Sequence, residues 1–212
     1  MKKFSLIAAS LLASSVLAAP ASAAVTFTFE GGLATPSAGY IIVDTFDNTT
    51  GLTGSGFQIK TPPADGNGAP PANSVPAGTP YLSVLGGGSA TFTFAQPVAG
   101  FQFDWGSIDT YNTLTITGSG ATIIIPGTNF TNPANGNQVS PGTNGRFTVF
   151  GTAGETFTSV TFSSSQNSFE VDNLAVRPVP EPATWAMMLV GFGLVGYGLR
   201  SRRRQSVRVT YA

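Results

Sequence analysis

Along the middle of the chain, large apolar residues alternate with threonine and serine in short runs, and glycine, proline and asparagine separate the runs. Val25-Thr26-Phe27-Thr28-Phe29 is the first clean example. A period of two is the signature of a strand with one face buried and one face wet. Runs at 25–29, 40–46, 57–59, 81–85, 91–94, 98–105, 113–117, 121–125, 146–150, 156–163 and 168–176 predict about ten strands. Between them, 49–80 is poor in large apolar residues and rich in Gly, Pro and Asn, which predicts a long exposed loop interrupted by the short strand at 57–59. A second polar loop is predicted over 128–144. No stretch of the middle region carries the 3.6-residue period of an amphipathic helix. The expectation is an all-β domain over 24–177, a jelly-roll-like β-sandwich that buries its phenylalanines between two sheets and leaves threonine on the solvated faces.

The two ends break this pattern. Lys2 and Lys3, the apolar run from Phe4 to Leu17 and the small residues Ala21-Ser22-Ala23 predict a secretory signal peptide over 1–23, cut after Ala23. That reading implies the Sec translocon and signal peptidase as partners. At the other end Pro180-Glu181-Pro182 is a stiff, extended tripeptide, because each proline fixes its own φ and pushes its predecessor out of the helical region. Trp185 to Leu199 follows as an uncharged apolar run of fifteen residues, and Arg200, Arg202, Arg203 and Arg204 close it. The order predicts a single transmembrane helix over 185–199 with its arginines on the cytoplasmic side and 205–212 as a short cytoplasmic tail. As a helix the run is only ~22 Å long against a hydrocarbon core of ~30 Å, a marginal span.

This order of tripeptide, apolar helix and arginine cluster over 178–204 resembles the PEP-CTERM sorting signal of Gram-negative bacteria. Pro180, Glu181, Pro182, Trp185, Ala186, Met187, Met188, Gly191, Phe192, Gly193, Gly196, Arg200, Arg202, Arg203 and Arg204 carry the resemblance, which looks like the PEPxxWAMM subtype. It implies recognition by an exosortase, cleavage near the tripeptide, a passing stage in the inner membrane, and delivery to the cell surface or the medium. The alternative is a single-span anchor that is never cut. The segments Trp105-Gly106-Ser107-Ile108-Asp109-Thr110-Tyr111-Asn112 and Ser164 to Asn173 also resemble exosortase-dependent surface proteins with WGSxDxYN and SSxxxFExDN segments, which implies an exported surface protein and supplies no substrate.

Composition narrows the chemistry. Seven of the ten basic residues lie in the two end segments, so between 24 and 179 only Lys60, Arg146 and Arg177 face nine acids. An acidic domain repels nucleic acid, which is excluded as a partner. The chain has neither cysteine nor histidine. Ser-His-Asp and Cys-His catalysis and ordinary zinc sites are therefore ruled out, and no disulfide staples the fold. A carboxylate-pair glycoside hydrolase using Asp104 and Asp109 is chemically allowed, but no second acidic cluster builds a cleft, so the expectation is no enzyme.

Two patterns invite a ligand. Asp104, Trp105, Asp109, Tyr111 and Asn112 gather carboxylates, aromatics and an amide in one connection, a mixture that stacks on a sugar and bonds its hydroxyls. The same residues equally serve to satisfy a tight turn and plug the end of a sandwich. Glu30 at the end of the first strand, with Glu170 and Asp172 on one face of the last, would suit Ca2+ if the two strands were neighbours; otherwise they are solvated carboxylates. Three functions remain open. The leading one is an exported surface or matrix protein with a structural or adhesive role linked to exopolysaccharide and biofilm. The others are a carbohydrate-binding module using the 105–112 loop and a glycan hydrolase.

Overall fold

The computed structural model describes residues 25–32, 36–74, 76–130, 133–152, 154–179 and 182–202. The signal-peptide expectation, with Ala21 and Ala23, and the tail 205–212 lie outside them. Nine strands follow in order: β1 (Val25–Gly31), β2 (Ile41–Asp44), β3 (Leu52–Lys60), β4 (Tyr81–Gly106), β5 (Asn112–Gly118), β6 (Ile123–Pro126), β7 (Gly145–Gly151), β8 (Phe157–Ser164) and β9 (Phe169–Pro178). One helix, α1 (Pro182–Arg202), ends the described chain.

Every strand pairing is antiparallel. The organising element is β4, a single strand of 26 residues that serves two layers. Its first half pairs with β3 on one side and, on the other, with β9 over Leu82–Val84 and β8 over Gly88–Thr93, and β5 and β6 extend the sheet beyond β8. Its second half, from Val98, lies between β7 and β9, with β1 outside β7 and β2 outside β9. Register with β8 slips between Thr93 and Val98, and there the strand crosses from one layer to the other. The result is a β-sandwich, as the alternation predicts.

Phenylalanine fills the space between the layers. Phe103 of β4 lies 5.3 Å from Phe147 of β7 and 5.1 Å from Phe162 of β8, ring centroid to centroid, and Phe101 meets Phe157 edge-on at 5.7 Å. Leu114, Ile116, Val149, Val160, Val171 and Leu174 are fully buried with them. Edge-to-face and tilted ring contacts of this kind add to the large apolar area that each ring removes from water.

The exposed-loop expectation over 49–80 holds in part: β3 runs over Leu52–Lys60, residues 61, 63–67 and 76–78 are exposed, and 68–74 is largely covered. Residues 68–74 form a strap pressed onto the outer face of β4 and β9. Gly68, Ala69, Pro71 and Ser74 are buried. Pro71 lies so close to Gly106 that a Cβ there would come within 2.9 Å of the Pro71 Cα. The strap carries few large apolar side chains because what it covers is polar.

Candidate functional site

Gln102, Asp104 and Gly106 of β4 and Glu170 and Asp172 of β9 alternate with the core residues Phe101, Phe103, Trp105, Phe169 and Val171, and so point away from the phenylalanine core, toward the strap. Across four strands the register aligns Glu30, Arg146, Asp104 and Asp172 in one row. Asp104, Arg146, Glu170 and Asp172 in this layer are each no more than 2 % exposed. A β-bulge on β9 makes the layer dense. Gln102 pairs with Ala175 but Asp104 pairs with Asp172, so β9 carries one extra residue. Within it Asn173 takes a positive φ of 50°, which asparagine tolerates better than most residues. Asp172 and Asn173 thereby both reach Asp104.

The partners are specific. The Arg146 guanidinium donates to Asp104 Oδ1 through Nη2 and, at 2.9 Å, through Nε. Asn173 Nδ2 donates to Asp104 Oδ2 at 2.9 Å and to Ser74 Oγ at 2.8 Å. Ser74 Oγ stands 3.0 Å from Asp104 Oδ2 and 2.7 Å from Asp172 Oδ2. The Asn173 amide donates to Asp172 Oδ1 at 2.7 Å. Glu170 accepts from Ser107 Oγ at 2.6 Å, from Ser168 Oγ, and from the strap amide of Ala69 at 3.3 Å. Burial raises all three carboxyls above the ordinary range. For Asp104 the nearby Arg146 charge opposes that rise; for Glu170 the hydroxyls of Ser107 and Ser168 do. Burial pushes Asp172 up to about 7, helped by the charges of Asp104 and Asp47 and opposed by the Ser74 hydroxyl.

The ligand-binding loop takes its structural form. Trp105 is fully buried and stacks on Phe169 at 4.5 Å and 12°. It presents no face to a sugar. Asp104 is ion-paired beneath the strap, and Asn112 is fully buried. Asn112 Oδ1 accepts from the Asp109 amide at 2.8 Å, while its Nδ2 donates to the Ser168 carbonyl at 3.0 Å. Tyr111 donates its hydroxyl to the Asn167 carbonyl at 2.8 Å. Asp109 and Tyr111 alone of this set reach solvent, each in part. Burial raises the Asp109 carboxyl, and the Tyr111 hydroxyl opposes the rise. The sequence segments 105–112 and 164–173 thus interlock: Trp105 on Phe169, Ser107 on Glu170, Tyr111 on Asn167, Asn112 on Ser168. Hollows of about 350 Å3 beside Asp44 and Asp47, and about 790 Å3 beside Phe92, Phe94 and Pro178, open elsewhere on the surface. Neither is lined by Trp105, Asp109, Tyr111 or Asn112.

The calcium set is not brought together. Glu30 is exposed on β1, with two strands, β7 and β4, between it and β9, which is about 14 Å at ordinary strand spacing. Glu170 and Asp172 are buried and already take hydrogen bonds from the protein. Among the described residues no group of three His, Cys, Asp or Glu side chains is placed to hold a metal ion. Sequence reasoning missed Arg146, Ser74 and Asn144 as members of the layer. Asn144 binds the strap amide of Ala72 and the Ser107 amide through its Oδ1. A usable signal existed in Arg146: one of three cations in an acidic domain, set inside a strand whose other residues alternate cleanly.

At the carboxyl end Pro182 opens α1 and Arg202 ends it. From Trp185 to Arg200 every residue is exposed. The membrane-crossing expectation over 185–199 is not met: no helix among the described residues is long and apolar enough to cross a membrane. Pro180, Glu181, Arg203 and Arg204 lie outside the described residues.

Residues 178–204 match the family model of the PEP-CTERM protein-sorting motif. The chain thus carries this sorting motif at its carboxyl end, and the motif indicates an exported protein sorted to the cell surface. A search of curated proteins found no match. Among solved structures, the chain is similar to the carbohydrate-binding module CsCBM6-3 from Clostridium stercorarium, in complex with cellobiose. They share 16% identity over 66% of this chain and 93% of that one, with a TM-score of 0.34. It is similar also to the module CBM6cm-2 from Cellvibrio mixtus lichenase 5A, in complex with cellotriose, at 12% identity, 66% and 100% coverage and a TM-score of 0.35. The catalytic domain of a GH87 alpha-1,3-glucanase matches at 13% identity and a TM-score of 0.38 over 74% of this chain, which spans only 28% of that domain. Likeness at this level says nothing about ligand or activity.

Proposed function

We propose that this chain is an exported surface or matrix protein whose carboxyl-terminal segment is read and cut by an exosortase near Pro180–Pro182. The observation that supports the reading is the sorting-motif match over 178–204, with a helix whose exposed apolar face is not used by the sandwich. In this reading α1 engages the inner membrane in passing, as part of the sorting signal. The β-domain then plays a structural or adhesive part in an exopolysaccharide-rich surface and catalyses no reaction. Its interior supports that role: the acids that a hydrolase would need, Asp104 above all, are committed to the polar layer under the strap.

The test is the intact mass of the mature protein recovered from the cell surface or the medium. A chain ending near Glu181, bare or carrying an added group, is expected. A chain running through Ala212 would mean a helix that is kept, and exosortase processing would be given up.

A further inference from the structure

The strap has a fastening that its position in the fold makes sensitive to protons. Ser74 Oγ has one hydrogen, yet it lies within hydrogen-bonding distance of a carboxyl oxygen from each of two aspartates, Asp104 and Asp172. Its acceptor side is engaged by Asn173 Nδ2. If both carboxyls were ionised, one of the two short contacts would set oxygen against oxygen with no hydrogen between them. We propose that Asp172 carries a proton and donates it to Ser74, whose own hydrogen goes to Asp104, so that closure of the strap over the polar layer depends on pH. Every oxygen and hydrogen of the three side chains is then used.

The surrounding charges favour this assignment. Asp104 on β4 has Arg146 of β7 to hold it ionised. Among the described residues no cation acts on Asp172 of β9 in this way; Asp104 and, from the turn after β2, Asp47 act on it as like charges. Glu170, two residues earlier on β9, has its own donors in Ser107, Ser168 and Ala69. Ser74 is the strap side chain that joins these groups. The sign follows from linkage. Asp172 is raised in the closed state, to about 7, and takes its ordinary value of about 4 once the strap opens. Between those values the closed strap binds the proton and the open one does not. Closure is therefore strongest near pH 4, weakens by up to about tenfold per pH unit as pH rises, and levels off above about pH 7.

The experiment uses the full chain. Hydrogen exchange of the strap amides Ala69, Ala72 and Ser74, corrected for the intrinsic rate, is followed from about pH 4 to about pH 8, and the infrared band of a protonated carboxyl is followed alongside. Protection of the strap is expected to fall through this window. A protonated carboxyl is expected to persist near pH 6 in the wild type and to be missing in Asp172→Asn. In that variant the amide donates to Ser74 in place of the proton, so strap protection falls less steeply with pH than in the wild type. Ser74→Ala loosens the strap at every pH. Strap protection that is flat with pH in the wild type, or a wild type with no protonated carboxyl near pH 6, overturns the proposal without recourse to either variant.

Discussion

A single arginine is the most consequential side chain of the domain. Arg146 is 1 % exposed and neutralises Asp104 in a layer that also holds Glu170 and Asp172. Removing one partner of a buried pair costs more than the pair contributes, because the charge left behind has no water to return to. Arg146→Ala is expected to lower stability by about 3–5 kcal/mol, measured by urea unfolding. The double variant Asp104→Ala with Arg146→Ala should recover part of that loss, since it leaves no orphan charge. A double variant no better than the single would mean that the arginine acts through packing of its stem. The composition contains this residue in plain view, as one of three cations among nine acids between 24 and 179. What it does not contain is the partner. Alternation puts residue 146 on the outer face of its strand, and an outer face reads as solvent until something is known to cover it. Trp105 fails in the same way from the opposite side: a tryptophan among aspartates reads as a ligand platform, yet its parity with Phe101 and Phe103 already puts it on the core face.

At the scale of elements, alternation locates strands well and their continuity badly. The runs 81–85, 91–94 and 98–105 are legible as three strands, and each is strand; β4 joins them because Gly86-Gly87-Gly88 and Gln96-Pro97 do not turn the chain back. Gly88 is there for close approach. A Cβ on Gly88 would lie 2.2 Å from the Gly56 carbonyl oxygen of β3, beside the irregularity between Ser55 and Phe57. Proline 97 sits in the slip between Thr93 and Val98, where the ladder to β8 is interrupted and a missing N–H costs little. Gly88→Ala is therefore expected to force β3 away from β4 and destabilise the domain by about 1–3 kcal/mol, seen as a lower melting temperature and faster proteolysis within 52–60. No change in melting temperature would mean that β3 yields at no cost. The strap is illegible for a related reason. Gly, Pro, Ser and Asn are the residues of exposed loops, and they are also the residues that lie flat on a polar layer and supply it with hydrogen bonds.

For the whole molecule, folding and sorting are written in separate parts of the chain. The sandwich closes its core between β1 and β9 with no contribution from α1, whose side chains from Trp185 to Arg200 are exposed. The sorting motif begins at 178, where β9 ends. A helix that is apolar on every side and buries none of it against its own domain has its partner elsewhere. A chain stopped after Pro178 should thus melt within about 1 °C of the full chain in detergent, since a change that touches no packed group leaves stability where it was. In cells the same truncation should move the protein from the surface fraction to the soluble exported fraction. The two readouts separate the two halves of the argument. A lowered melting temperature would show that the helix or its linker supports the sandwich after all, through contacts made once the chain has left Pro178. An unchanged surface fraction would place the retention signal within the β-domain, on its exposed edges and hollows, and leave the carboxyl-terminal motif without a part in keeping the protein there.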